Sequence, residues 1–414
     1  VLAWAPGVSL AYCGTSSQPG VALDESAFSA STYGNLWRQM ALIDTALTLT
    51  DLVVTPDGKK LFLTTSNPWG PESVWHSFSD PLGKKWERIL TVDSDPDVDS
   101  TIDPGALMVK LSADYENDDT VYIATHHRNV VAVSFNRGNS WEWRRGASEG
   151  LLDLLVVDST TLFAAIPGGR VMMSTYGGRY WEEEPVDTLL SEVHMLARAS
   201  DGTLFAGSLD GYVSYSTDNG QSFTLIEEPV GSGPVQVVPD VAYVDNGWLY
   251  AASSGVDEGL WRWRVGCSDR WQQLDGDITR LGAGQSIGGV LMGEEGTLYA
   301  LRTESAGDAT GGMTRWLCPA CEPCVDFEYD HVIEGLPDGA MFQAADAFLS
   351  TYPVGTFWGN NTFNDLFVID SSDQQRIFLF RDTLCKRGPY LDAPADRAHL
   401  DDNPCDCNRD AVST

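Results

Sequence analysis

The sequence predicts an all-β protein: a single β-propeller of seven four-stranded blades with N- and C-terminal extensions. Two observations predict it. A short strand-opening pattern recurs at a spacing of roughly 40 to 50 residues, the interval of a propeller blade, and a turn-rich hairpin follows it at a fixed place in the same period.

The first pattern is a turn, a small or apolar residue, and an aromatic that opens an alternating strand. Its copies place Phe62 after Asp57-Gly58, Tyr122 after Asp119-Thr120, Phe163 after Thr160-Thr161, Phe205 after Asp201-Gly202, Tyr250 after Asn246-Gly247, and Tyr299 after Glu295-Gly296. Several short strands per period, separated by Gly, Asp and Asn turns, indicate blades rather than helical repeats. Helical periodicity is nearly absent. The repeats divide the chain at about 44–92, 103–148, 150–187, 189–230, 234–278, 285–336 and 340–384.

The second pattern runs from Ser134 through Asn136 and Gly138 to Trp141, from Ser174 through Tyr176 and Gly178 to Trp181, and from Ser216 through Asp218 and Gly220 to Phe223. A looser copy runs from Ser77 through Asp80 and Gly83 to Trp86. The residue types have physical reasons: an Asx side chain caps its own turn, Gly supplies a positive φ, and the closing aromatic packs between blades. These hairpins resemble the Asp-box (BNR-type) family, Ser-x-Asp-x-Gly-x-x-Trp, of sialidase-, sortilin-, glucanase- and photosystem-assembly-factor-like propellers. Asp218 supplies the family's Asp, while Asn136 and Tyr176 stand in its place. The resemblance implies peripheral folding devices rather than a central site, and concerns architecture rather than activity.

The propeller is expected over residues 34–384. A strand around Gly34–Met40, containing Trp37, is placed to complete the last blade and close the ring, which removes a free sheet edge. Outside it lie an extension of residues 1–33, with apolar stretches within residues 1–12, and an acidic, cysteine-containing tail of residues 385–414.

With 59 acidic against 26 basic residues the formal charge is −33, so a polyanion is repelled and nucleic acid is not an expected partner. No run of 18 or more apolar residues occurs, so no membrane insertion is expected. The start at Val1 and the even set of eight cysteines lead us to expect a processed, extracellular or cell-surface protein with disulfides. These are Cys13, Cys267, Cys318, Cys321, Cys324, Cys385, Cys405 and Cys407, whose pairing spacing does not determine. Cys318, Cys321 and Cys324 lack a fourth ligand at metal-site spacing, which favours disulfides over zinc.

Asp93, Asp95, Asp97 and Asp99 alternate along a loop with Asp103 nearby. This is a candidate calcium loop, though it lacks the Gly and terminal Glu of an EF-hand; the alternative is a solvated acidic loop. Asn360-Asn361-Thr362 is a glycosylation sequon. No catalytic template is matched: the arginines are scattered, His126-His127 shows no triad spacing, and no carboxylate pair is singled out. The expected function is a non-catalytic structural or interaction propeller that assembles with copies of itself or with surface proteins, as in a surface layer or filament. The alternative is a glycan-binding or glycoside-hydrolase-like propeller.

Overall fold

Each repeated aromatic enters the second strand of a four-stranded antiparallel sheet, and the computed structural model contains seven such sheets. It describes residues 38–42, 48–66, 72–77, 83, 85–92, 107–125, 129–147, 149–255, 259–274, 287–293, 296–302, 312–316, 319–320, 329–332, 342–353, 360–370 and 376–382. Blade one comprises Thr48–Val54, Leu61–Ser66, Glu72–Ser77 and Trp86–Val92. Blade two comprises Leu107–Leu111, Val121–Thr125, Val130–Ser134 and Glu142–Arg145, and blade three Asp153–Val156, Leu162–Ile166, Arg170–Ser174 and Val186–Asp187. Blade four comprises Val193–Arg198, Leu204–Ser208, Val213–Ser216 and Thr224–Ile226, and blade five Val235–Pro239, Trp248–Ser253, Leu260–Arg264 and Gln272–Gln273. Blade six comprises Ile287–Met292, Leu298–Arg302, Gly312–Trp316 and Tyr329–Val332. Blade seven takes Phe342–Pro353, Asn360–Asp370 and Arg376–Asp382 from the end of the chain and Arg38–Leu42 from its beginning.

A strand near the expected place closes the ring: it is Arg38–Leu42 rather than Gly34–Met40, and Gly34 to Trp37 lie outside the described residues. Arg38–Leu42 lies antiparallel to Arg376–Asp382, with Arg38 opposite Leu379 and Leu42 opposite Arg376. The first strands of successive blades touch one another in order, and that of blade seven touches that of blade one. These strands therefore surround the axis and the fourth strands form the rim.

One packing rule repeats around the ring. The second-strand aromatic of a blade meets the following blade, and the aromatic closing that blade's outer hairpin packs on the same cluster. Phe62 is clustered with Trp141, Tyr122 with Trp181, Phe163 with Phe223, Phe205 with Trp271, and Phe367 with Trp86. Tyr250 shares its cluster with Trp316 and Tyr299 with Phe380. All seven second-strand aromatics are buried. Burying a large ring at every joint helps hold neighbouring sheets together, since among the described residues no strand ladder crosses between blades.

Blades six and seven are also joined by charge. Asp382, fully buried, pairs with the buried Arg315 and accepts a bond from the Tyr299 hydroxyl at 2.9 Å, while Asn364 donates to that hydroxyl at 2.8 Å. Within blade seven, Arg381 faces Asp365 across the ladder through bonds of 2.7 and 2.6 Å, and Arg376 reaches Asp370 at 2.8 Å.

The outer hairpins share one turn. Gly138, Gly178, Gly220 and Gly83 donate their amides to the hydroxyls of Ser134, Ser174, Ser216 and Ser77 at 2.8, 2.9, 2.8 and 2.6 Å. The Asx position completes it: Asn136 Oδ1 accepts from the Ser140 amide, and Asp218 Oδ1 from the Ser222 amide, both at 2.9 Å. Gly220 must be glycine twice over, because its φ is 82° and a Cβ there would lie 2.9 Å from Phe163 of the preceding blade.

Hydrogen bonds from Ser222 and Ser216 hold the Asp218 carboxyl down to about 2. A folded value below the unfolded one near ~4 means that these bonds contribute fully above the unfolded value and are lost as pH falls through the folded one. Asp218→Asn, which imitates Asn136, is expected to keep the turn and to lose less stability than the native chain between about pH 4 and pH 2. Parallel acid-unfolding curves for the two proteins would contradict this.

Among the described residues, two four-residue helices depart from the all-strand expectation. Tyr115–Asp118 and Tyr243–Asn246 end on left-handed residues, Asp119 at φ 54° and Gly247 at φ 70°. The sequence signals Asp119-Thr120 and Asn246-Gly247 are thus helix stops that also open the next strand. Each helix exists to seat a tyrosine: Tyr115 and Tyr243 are buried, the latter edge-on to Phe205 at 5.4 Å.

Candidate functional site

Two places on the ring gather chemistry-bearing side chains. The first is the axis. Asp51 of blade one accepts the Val109 amide of blade two at 3.0 Å, and Asp153 of blade three accepts the Leu196 amide of blade four at 2.7 Å. Lys110 of blade two lies 3.7 Å from Asp153. Further round, Nε2 of His194 in blade four is 3.4 Å from Nε2 of Gln236 in blade five.

The inner strand of a blade has one edge without a ladder partner, and these carboxylates satisfy amides on that edge. They are clamps between blades. Asp51 is half-buried and surrounded by protein, and this burial raises its carboxyl above the usual range against the opposing pull of Lys110 and two backbone amides. Burial likewise lowers His194, which Asp153 only partly offsets, so the ring stays neutral at physiological pH.

The second place is a groove of about 480 Å³ on the rim between blades four and five. It is lined by Tyr215, Leu225, Glu227 and Glu228 from blade four and by Trp263 and Asp269 from blade five. Glu228 is held in place: Oε2 accepts the Trp271 amide, and its backbone carbonyl accepts the Trp271 indole N–H, each at 2.8 Å. Trp271, 5% exposed, lies against Trp263 with ring centroids 5.3 Å apart.

The sequence reading missed the hairpin that builds this wall. Arg264 to Trp271 spans the same interval as Ser134 to Trp141. Arg264 replaces the serine, and the bond direction is reversed, with the Arg264 amide donating to Ser268 Oγ at 2.9 Å. The interval to the aromatic was the available signal; the serine was not.

Asp93, Asp95, Asp97, Asp99 and Asp103 lie outside the described residues, as do Cys13, Cys318, Cys321, Cys324, Cys385, Cys405 and Cys407. Cys267 is described: it is half-buried in the turn after Leu260–Arg264, and its amide donates to the Arg264 carbonyl at 3.0 Å. Asn360 opens the strand Asn360–Asp370, opposite Pro353. His126-His127 and the extensions 1–33 and 385–414 also lie outside. Among the described residues no group of three or more His, Cys, Asp or Glu is arranged to hold a metal ion, and no helix is long and apolar enough to cross a membrane.

The fold and its interblade clusters define the chain as a β-propeller with four-stranded antiparallel blades. Among solved structures it is similar to YCF48 from Cyanidioschyzon merolae, at 13% identity and a TM-score of 0.55 over 83% of this chain and 98% of that one. It is likewise similar to a chain of the mitotic checkpoint complex, at 13% identity and a TM-score of 0.56 over 87% and 98%, and to the RRP9 WD40 repeats, at 13% and 0.55 over 84% and 98%. At such identity the likeness concerns the fold. No family model and no curated protein matches the sequence.

Proposed function

We propose that this chain is a non-catalytic interaction propeller of the Asp-box kind, exported from the cell, which assembles with copies of itself or with surface proteins through its N-terminal extension. One observation carries the reading. Arg38 begins the outermost strand of blade seven, so the chain that precedes it joins the fold at the rim of that blade rather than at the axis. A segment leaving the rim is within reach of a neighbouring ring, and an apolar extended segment can add to that neighbour's exposed sheet edge.

The axial carboxylates support a non-catalytic role because they are engaged in joining blades. The shared Ser-Asx-Gly turn supports the Asp-box assignment. Disulfides among the eight cysteines, calcium at Asp93–Asp103 and glycosylation at Asn360 belong to the same reading on sequence grounds.

Deleting residues 1–12 tests the proposal. The truncated chain is expected to keep its thermal midpoint and to sediment as a monomer at concentrations where the full chain forms larger species. A full chain that stays monomeric at high concentration, or a truncated one that still assembles, would overturn it.

A further inference from the structure

We infer that the rim groove between blades four and five is a recognition site for an arginine side chain of a partner polypeptide. This goes beyond assembly through the extensions and stands on different residues. Three features of the groove select that occupant. Two aromatic residues line it, Tyr215 and Trp263, both half-buried. Three exposed acidic residues, Glu227, Glu228 and Asp269, also line it, and no Lys or Arg does. One of its lining residues, Glu228, is fixed beforehand by two bonds from Trp271.

A planar cation is the chemistry these features share. A guanidinium stacks flat on an aromatic ring while its N–H fork meets a carboxylate at the edge, and it is less strongly hydrated than an ammonium. Lysine offers the charge without the plane. An anionic ligand would meet three like charges. The overall charge of −33 further favours the approach of a basic segment.

Concavity sets this place apart from the other exposed aromatics. Tyr176 and Tyr180 of the blade three hairpin are more exposed, but they stack edge-on against each other at 5.8 Å, and the neighbouring Arg179 is engaged by Glu142 at 2.8 Å.

The test is a calorimetric titration of the full chain, at physiological salt, with acetylated and amidated tetra-arginine, tetra-lysine and tetra-citrulline peptides. Tetra-arginine is expected to bind more tightly than tetra-lysine, and tetra-citrulline not measurably. The double variant Glu227→Gln, Asp269→Asn is expected to weaken tetra-arginine binding about tenfold with an unchanged thermal midpoint, because it removes two charge-assisted contacts. The control variant Glu182→Gln, Glu183→Gln removes the same charge from an exposed run outside the groove and is expected to change affinity less than about twofold, the level of diffuse screening.

Equal losses in both variants would show that the peptide responds only to net charge, and would overturn the inference. So would absence of tetra-arginine binding, or equal binding of the citrulline peptide. Binding of a neutral oligosaccharide such as laminarihexaose that is lost in the groove variant, with peptide binding unaffected, would reassign the groove to sugars. None of these results bears on assembly by residues 1–12, so the two proposals fail separately.

Discussion

Replacing Asp382 by alanine is expected to destabilise the ring by about 3–5 kcal/mol, the cost of removing one partner from a buried ion pair. The carboxylate is fully buried and faces Arg315 of blade six, whose side chain is only 1% exposed. Its second oxygen accepts the Tyr299 hydroxyl at 2.9 Å. Truncation therefore leaves a guanidinium in a space that water does not reach and takes the acceptor from Tyr299 at the same time. Asp382→Asn retains the shape and the acceptor, so its cost is expected to be smaller. An apolar pair, Arg315→Met with Asp382→Leu, is expected to recover much of the loss, because it removes the charge together with its partner. Urea denaturation measures all three, and an Asp382→Ala midpoint equal to that of the native chain would show that the pair does not join the blades.

Phe163→Ala is expected to cost a similar amount, about 3–5 kcal/mol, by the different route of a cavity. The ring lies between blades three and four, packed with Leu196, Leu204, Ala206 and Phe223. One side of its pocket is backbone, since Gly220 approaches so closely that even a methyl group would meet the ring at 2.9 Å. Side chains can swing into a void, whereas a turn fixed by the Ser216 and Asp218 bonds cannot readily do so. Phe163→Leu refills most of the volume and is expected to lose less than half as much. Equal denaturation midpoints for the alanine and leucine variants would count against a cavity mechanism.

The repeat was legible because two local rules recur at every joint: an aromatic that enters the second strand and an aromatic that closes the outer hairpin. Phe62, Tyr122, Phe163, Phe205, Tyr250 and Tyr299 were visible because a turn precedes each. Phe367 occupies the seventh place in a long strand without that preceding signature, and only its cluster with Leu49, Leu52 and Trp86 reveals the equivalence. Closure was legible from a strand with no blade of its own.

The groove was not legible, because it depends on residues far apart in sequence whose meeting is decided by the rotation between blades. Tyr215 and Trp263 are 48 positions apart and line one groove only because each occupies the third strand of adjacent blades. The pairing of Asp382 with Arg315, among 59 acids and 26 bases, was hidden for the same reason. The axial clamps add another: Asp51 and Asp153 bind backbone amides, which carry no sequence identity.

The closing strand has a mechanical consequence. Because Arg38–Leu42 and Arg376–Asp382 are antiparallel, Arg38 and Asp382 lie toward the same end of one ladder. Tension applied through the two extensions would therefore peel this ladder open one rung at a time, beginning at the pair Arg38 and Leu379, rather than shear all its bonds together. Under load the clasp of blade seven is the fuse. Its opening rate under force would set how long a ring survives in a chain of linked copies, while the six blades built from consecutive strands are spared until the clasp has parted.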